Sequence, residues 1–433
     1  VSGAPGQSPR RAAARILGGV LERNKTLADF TEAGEGFFAE LAPEERARAT
    51  SIATGVLRHV AQIDTLLQGF LRKPPPAAVV MILRIAAWEL LVDGVPPHAA
   101  VDGAVRAVRS LRKHANLAGL TNAVGRKLAQ DGPAVWEARD APELPYWLWK
   151  PVSAAYGADA AAAIALAHTA TPPLDLTLRD PDDAARFADE VGGAVLPTGS
   201  VRLTQPGRVS GLPGYDQGRF WVQDAAAALP VQMLGALRGV TAVDLCAAPG
   251  GKTMQLAAAG ARVTAIDKSK GRLARLSQNL KRTGLTADVV TSDARKWRPE
   301  GPAPDVIVLD APCSATGTIR RHPDLVFARP DPDLAPLLKL QAELIDHALG
   351  LLAPGGRLLY CTCSLFPAEG EDQAAAALAR HPGLTVDPHR PEGCAEDWWT
   401  AEGHLRLRPD FWAEQGGMDG FFATVLRKPD ALP

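Results

Sequence analysis

Asp244-Leu245-Cys246-Ala247-Ala248-Pro249-Gly250-Gly251-Lys252-Thr253 is the stretch that decides the fold. It leaves a β-rich run, turns through small residues and two glycines, and enters a helical pattern. Small residues and glycines let the backbone approach a ligand closely, and a helix start offers free N–H groups to it. A dinucleotide site calls for Gly-x-Gly-x-x-Gly and a phosphate-binding P-loop for Gly-x-x-x-x-Gly-Lys-Ser/Thr. Neither spacing is present, although Gly251-Lys252-Thr253 imitates the end of the second. The expected ligand is an adenosine without a phosphate chain.

Working outward, Thr241–Cys246, Arg262–Asp267, Asp288–Ser292, Asp305–Leu309 and Arg357–Cys361 are short β-rich runs, each followed by a turn and most by a helical pattern. Helix 270–283 buries Leu273, Leu276 and Leu280 on one face and stops at Gly284. This alternation predicts a doubly wound, largely parallel α/β sheet with ligands at the carboxyl ends of its strands. Asp267 closes the second strand, where a carboxylate accepts hydrogen bonds from ribose hydroxyls. Asp293 stands at the end of the third, towards the adenine amino group, and Asp310 at the end of the fourth. Each is also a plausible helix N-cap, but carboxylates at three successive strand ends favour the ligand.

Upstream, from Pro9 to about Gln130, the pattern is helical throughout. The nearly all-apolar run from Ala78 to Val92 is too short to span a bilayer and predicts a buried central helix. After Pro96-Pro97, Arg106, Arg109, Arg112 and Lys113 recur at about three-residue spacing, mostly on one helix face. Such a stripe is either a solvated surface or a phosphate-contacting face. Leu83-Arg84-Ile85-Ala86-Ala87-Trp88-Glu89-Leu90-Leu91 with Pro96-Pro97-His98-Ala99-Ala100-Val101 resembles the NusB-like RNA-binding helical domain, which implies the second. Pro142 to Pro151 reads as a linker, and Leu174 to Leu203 as part of a small α+β subdomain. The expected domains are 1–140, 141–235 and 236–433: an all-α front, a small α+β piece, and the α/β domain.

At 433 residues the chain exceeds one ordinary core, and 46% apolar with 22% charged residues is a globular composition. The net charge of −1 favours no partner by itself, but residues 1–150 carry 19 Lys and Arg against 15 Asp and Glu. The polar opening Val1–Arg15 has no apolar signal core, so a cytoplasmic location is expected. The five cysteines, Cys246, Cys313, Cys361, Cys363 and Cys394, lack zinc-site spacing, so no metal is expected.

Two of these cysteines sit in loops at strand ends on the cofactor edge: Asp310-Ala311-Pro312-Cys313-Ser314-Ala315-Thr316-Gly317 and Tyr360-Cys361-Thr362-Cys363-Ser364. With Phe220-Trp221-Val222-Gln223-Asp224, Ile319-Arg320-Arg321-His322-Pro323 and Gly417-Met418-Asp419-Gly420-Phe421-Phe422, they resemble the Fmu/Sun (RsmB-like) family of RNA cytosine-C5 methyltransferases. The resemblance implies a class I S-adenosylmethionine-dependent methyltransferase domain, with S-adenosylmethionine held by Cys246, Ala247, Ala248, Pro249, Gly250, Gly251, Lys252, Asp267, Asp293 and Asp310. It implies attack on carbon 6 of cytosine by Cys363, a part for Cys313 in elimination and release, and ribosomal RNA of the small subunit as the leading target, with transfer RNA second. Spacing alone leaves the roles of the two thiols interchangeable. Asp310 is expected to hydrogen-bond the cytosine edge. Arg106, Arg109, Arg112, Lys113, Arg320 and Arg321 are expected on RNA phosphates, no membrane partner is expected, and the chain is expected to act as a monomer. Cys361 is expected in the core. The rival from another class is an RNA-binding assembly or antitermination factor that keeps the cofactor fold as scaffold.

Overall fold

The computed structural model describes residues 8–31, 36–205 and 207–430, so the first seven residues of the polar opening lie outside the described residues. The chain divides into two compact units. The first is Val1–Lys150, Ala161–Thr171 and Ile319–Asp331; the second is Pro151–Ala160, Pro172–Thr318 and Pro332–Pro433. Of the segment expected as a linker and small α+β piece at 141–235, residues 151–160 and 172–235 fall in the second unit and the remainder in the first.

The first unit is helical, with main helices Pro9–Arg23, Pro43–Phe70, Ala77–Leu91, Pro97–Arg109 and Ala118–Glu137. Three begin on proline, whose missing N–H costs nothing in a first turn. Ala77–Leu91 is the buried centre that its apolar run predicts: Val79, Leu83, Ile85 and Ala87 are shut from solvent. A Cβ on Gly55 would lie 2.3 Å from the Trp88 ring, so glycine there is what admits the indole. Glu89 is buried in the same helix, where Arg10 at 2.9 Å and Arg48 at 3.6 Å offset its charge. The basic stripe departs from expectation in one respect. Its helix ends at Arg109, so Arg106 and Arg109 lie on the helix while Arg112 and Lys113 follow in a turn; all four are exposed. The linker expected at Pro142–Pro151 likewise turns helical at Tyr146, with Pro151 inside the helix Tyr146–Tyr156.

The second unit holds two sheets. The smaller is antiparallel, in the order β2-β3-β1-β4, from β1 (Leu174–Leu178), β2 (Ala194–Val195), β3 (Val201–Leu203) and β4 (Phe220–Val222). Arg202 of β3 and Asp175 of β1 form a buried fork with both N···O distances 2.7 Å, and Arg202 also donates to the Gly417 carbonyl at 2.8 Å. That ties the small sheet to the Gly417–Phe422 motif of the larger one.

The larger sheet contains β5 (Thr241–Leu245), β6 (Arg262–Asp267), β7 (Asp288–Thr291), β8 (Val306–Asp310), β9 (Arg357–Thr362), β10 (Thr385–Val386), β11 (Leu405–Leu407) and β12 (Phe421–Arg427). Its order is β10-β12-β9-β8-β5-β6-β7, with β11 on β12. β7, β6, β5, β8 and β9 run parallel, and β12 is antiparallel against β9. All five strands read from the sequence are present to within a residue or two at either end. Parallel strands joined by helical crossovers bury both faces, and accordingly Val306, Ile307, Val308 and Leu309 are all buried. The helix Lys270–Thr283 ends on Gly284 at φ 66°, the left-handed stop its sequence predicts. Strand order reverses between β5 and β8, so the crevice at their carboxyl ends is where this topology receives a ligand. Among the described residues no helix is long and apolar enough to cross a membrane.

Candidate active site

At the end of β5 the chain turns sharply: Cys246 takes φ 63° and Gly250 takes φ 109° before the helix Gly251–Ala258 begins. A Cβ at Gly250 would also press to 2.9 Å from Leu276, so both conformation and space call for glycine. Asp267, at the end of β6, holds this turn from the side. It accepts from the Ala248 N–H at 3.2 Å and the Ser269 N–H at 2.8 Å, with Arg272 at 3.6 Å. Asp244 lies beneath. One oxygen accepts from the Thr253 hydroxyl at 2.6 Å, the other is buried without a partner, and burial pushes the carboxyl up to about 7.

Lys252 is 6% exposed and donates to Asp310 at 2.7 Å. Burial works against its charge, but Asp310 and its other anionic neighbours outweigh this and hold the ammonium above its usual range. A P-loop lysine must be free to reach phosphates, and this one is committed to a carboxylate. The turn, its helix start and the carboxylates beside them suit an adenosine ligand without a phosphate chain, and the buried unpaired oxygen of Asp244 marks a polar site rather than a packed one. A cavity of about 320 Å³ opens alongside, lined by Trp221, Gln223, Asp244, Ala248, Lys252 and Asp310 among others.

Asp293 behaves differently from Asp267. The Arg295 guanidinium grips both its oxygens, at 3.2 and 2.8 Å, and holds its carboxyl down at about 2. An acceptor for an adenine amino group is thus already occupied by an arginine two residues on.

The thiols converge as expected. Cys313 Sγ and Cys363 Sγ are 3.4 Å apart, although 50 positions separate them in the chain. The Gly317 N–H donates to the Cys363 carbonyl at 2.9 Å, and the Gly420 N–H to the Gly317 carbonyl at 2.8 Å. A Cβ on Gly317 would meet that third strand of chain at 2.0 Å, so the Gly417–Phe422 motif and the Cys313 loop require each other's glycines. The Cys313 thiol is pushed well above its ordinary value, first by its hydrogen bond with Cys363 and then by burial. Cys361 points into the core, where burial also raises its thiol. Cys246 and Cys394 are raised by burial to about 12 and about 11.

One RNA-contact expectation changes. Arg320 is 1% exposed, and its carbonyl accepts from Arg58 at 3.0 Å; it is a core residue of the first unit, out of reach of phosphates in solvent. Arg321, half-buried beside it, joins Arg320 in lowering Arg58 to about 10, behind the larger effect of burial. The residue that sequence reading passed over is Glu369. It is fully buried and accepts from Ser314, Ser364 and Gln341. The available signal was an acid six positions after Cys363 in an otherwise apolar run, Leu365-Phe366-Pro367-Ala368.

Comparison with known proteins gives the same outline. The family described as 16S rRNA methyltransferase RsmB/F matches residues 231–427, and the NusB family matches residues 7–130. The chain is 37% identical over 394 residues to ribosomal RNA small subunit methyltransferase B of Sodalis glossinidius, covering 86% of this chain and 89% of the relative. It is 36% identical over 443 residues to the protein of the same name from Salmonella arizonae, covering 97% and 98%. Among solved structures, the crystal structure of PH0851 covers 98% of this chain and 99% of its own, with TM-score 0.72 and 24% identity. A methyltransferase homolog from Pyrococcus horikoshii covers 64% and 93%, with TM-score 0.54 and 26% identity. With identity of this extent running through both the helical front and the cofactor fold, the chain belongs to the 16S rRNA methyltransferase RsmB/F family and is an S-adenosylmethionine-dependent RNA methyltransferase.

Proposed function

We propose that the chain methylates carbon 5 of a cytosine in 16S ribosomal RNA through a covalent bond between Cys363 and carbon 6. The observation that carries this reading is the pair of thiols 3.4 Å apart at the strand ends that also bear the Asp310–Lys252 pair. Carbon 5 of cytosine is a poor nucleophile. Addition of the Cys363 thiolate to carbon 6 sends an electron pair onto carbon 5. S-adenosylmethionine, which the Cys246–Lys252 turn with Asp267 and Asp310 would hold, would supply an electrophilic methyl group there, its sulfur–methyl bond breaking to leave S-adenosylhomocysteine. Asp310 is 35% exposed and braced by Lys252, which suits it to accept a hydrogen bond from the cytosine amino group. Asp293 joins the cofactor only if Arg295 releases it.

The division of labour is the one the family resemblance implies, with Cys363 attacking and Cys313 serving release. Two thiols 3.4 Å apart titrate as a pair, so while Cys363 is the thiolate Cys313 keeps its proton and does not compete for carbon 6. Once Cys363 is bonded to carbon, its negative charge and its hydrogen bond to Cys313 are gone. Cys313 then releases its proton to solvent more readily and, as thiolate, takes the proton from carbon 5. The electrons of that C–H bond restore the ring double bond, and the carbon–sulfur pair returns to Cys363. One proton leaves per methyl transferred, so the cycle balances.

A stacked base does not reach such a crevice, so the target is an unpaired or flipped-out cytosine. Arg106, Arg109, Arg112 and Lys113 are exposed and form no ion pair among the described residues, which suits a phosphate-contacting face. The test is Cys313→Ala incubated with 16S ribosomal RNA and cofactor. A slow-migrating protein–RNA band on a denaturing gel is expected, and it is expected to vanish in Cys313→Ala/Cys363→Ala. A band in the single variant Cys363→Ala and none in Cys313→Ala would reverse the roles; no band in either single variant would remove the covalent mechanism.

A further inference from the structure

We propose that Glu369 is a positioning residue of the two-thiol centre: its buried carboxylate clamps the Cys313 and Cys363 loops together and thereby sets the sulfur–sulfur gap. The inference rests on the reading of these two cysteines as the reacting pair.

The clamp works through the residue next to each thiol. Ser314 follows Cys313, and Ser364 follows Cys363. The Ser314 N–H donates to Glu369 Oε1 at 2.9 Å and its hydroxyl donates to Oε2, while the Ser364 hydroxyl donates to the same Oε2 at 2.6 Å. One carboxylate oxygen is therefore shared by two serines that lie 50 positions apart, the separation of the thiols themselves. The other side is fixed by Gln341, fully buried, whose amide donates to Glu369 Oε1 at 3.0 Å and to the Pro312 carbonyl at 2.9 Å, so both flanks of Cys313 are gripped. The Glu369 backbone is anchored in turn, since its carbonyl accepts from the Tyr360 hydroxyl at 2.6 Å and the Thr362 hydroxyl at 3.3 Å. None of these hydrogen bonds involves the cofactor turn. Both oxygens of the buried Glu369 carboxylate are paired, and a buried polar group held on both sides keeps one geometry and resists others. The charge of Glu369 also contributes to raising the Cys313 thiol, behind Cys363 and burial.

The gap can be read without RNA or cofactor. Diamide takes two hydrogens from the thiols, closing a Cys313–Cys363 disulfide and becoming the hydrazine, and mass spectrometry of the crosslinked peptide gives the closure rate. Glu369→Gln keeps the acceptor for Ser314 and Gln341 and offers an amide to the two serine hydroxyls, so it preserves the clamp. Glu369→Ala removes it. Closure in Glu369→Ala is expected to slow by about tenfold or more, with kcat falling at least as much and KM for RNA within about twofold, while Glu369→Gln stays within about threefold of the parent. Should Glu369→Ala fail to fold, Ser314→Ala/Ser364→Ala removes the hydroxyl contacts and is expected to slow closure likewise. Closure at the parental rate in a folded Glu369→Ala or in the double serine variant would overturn the proposal, as would loss of closure in Glu369→Gln equal to that in Glu369→Ala. If instead neither Cys313→Ala nor Cys363→Ala forms an RNA adduct while closure in the parent still depends on Glu369, the covalent mechanism fails and the clamp stands.

Discussion

The cofactor turn and the two-thiol centre lie at the same edge of one sheet, yet they are specified in different ways. The turn is written in a single stretch, Cys246–Lys252, and its main outside support, Asp267, is 19 positions from the Ala248 N–H it holds. The thiol centre is assembled from the Cys313 loop, the Cys363 loop, Gln341 on the helix Ala335–Leu351, and Gly420 before β12. A site coded locally survives as long as its strand and helix form. A site coded by distant pieces depends on the buried polar atoms that join them. Chemistry that needs two sulfurs at a fixed separation falls in the second class, where a carboxylate such as Glu369 does the joining.

The sharpest way to separate the two is to remove one sulfur and leave the turn alone. Cys363→Ala is expected to cut methylation by on the order of 10⁴-fold or more, because without the attacking sulfur carbon 5 is never activated. Affinity for S-adenosylmethionine is expected to stay within about twofold, since the turn's own hydrogen bonds run to Asp267, Thr253 and Asp310 and not to Cys363. Calorimetric titration of the variant with the cofactor checks this. A large loss of cofactor affinity would mean that turn and thiols form one unit after all.

This contrast also governs how much was legible in the sequence. The five strands, the helix 270–283 with its Gly284 stop, and the apolar helix after Pro76 were readable because each is a local pattern of period two or 3.6 closed by a local signal. The meeting of Cys313 with Cys363 was readable because parallel strands deliver their following loops to one edge. Glu369 was not, since its partners are 55, 28 and 5 positions away and only packing brings them in. Arg320 shows the reverse: a pair of arginines reads as a phosphate contact, but the first is folded into the interior beside Arg58. Asp293 reads as a ligand because it ends a strand, yet the arginine two positions on can fold back to it, a pairing that strand periodicity does not report. Arg112 and Lys113 continue the spacing of Arg106 and Arg109 although the helix has ended, so spacing alone extended it too far.

Asp244 offers a smaller effect that probes the turn from below. Its pKa in the folded chain, about 7 through burial, exceeds that of an unfolded aspartate, so the folded state keeps a proton that the unfolded state gives up. Stability is therefore full below about pH 4 and declines as pH rises towards 7, by at most about 1.4 kcal/mol per pH unit. Asp244→Asn cannot ionise and keeps an acceptor for Thr253. Its melting temperature is expected to fall less than the parent's between pH 5 and pH 7.5 when both are followed by calorimetry. Equal slopes would show that the acid is ionised in the folded chain at pH 5.

The smallest expected effect separates binding from chemistry altogether. Arg106, Arg109, Arg112 and Lys113 are exposed on the first unit, whereas turn and thiols belong to the second. Replacing all four by alanine is expected to leave the rate at saturating RNA unchanged and to weaken RNA affinity, most at low salt. Each phosphate deprived of its cation reduces the slope of log K against log salt by about 0.7 to 0.9, so a full set of four reduces it by about 3. Helix propensity is not at issue, because alanine is the best helix former and none of the four cations is buried. Filter binding across a salt series measures the slope. An unchanged slope would return the stripe to a solvated surface and move the RNA-contacting face of the first unit elsewhere, with Arg126 and Lys127, exposed on the helix Ala118–Glu137, the next cations to replace.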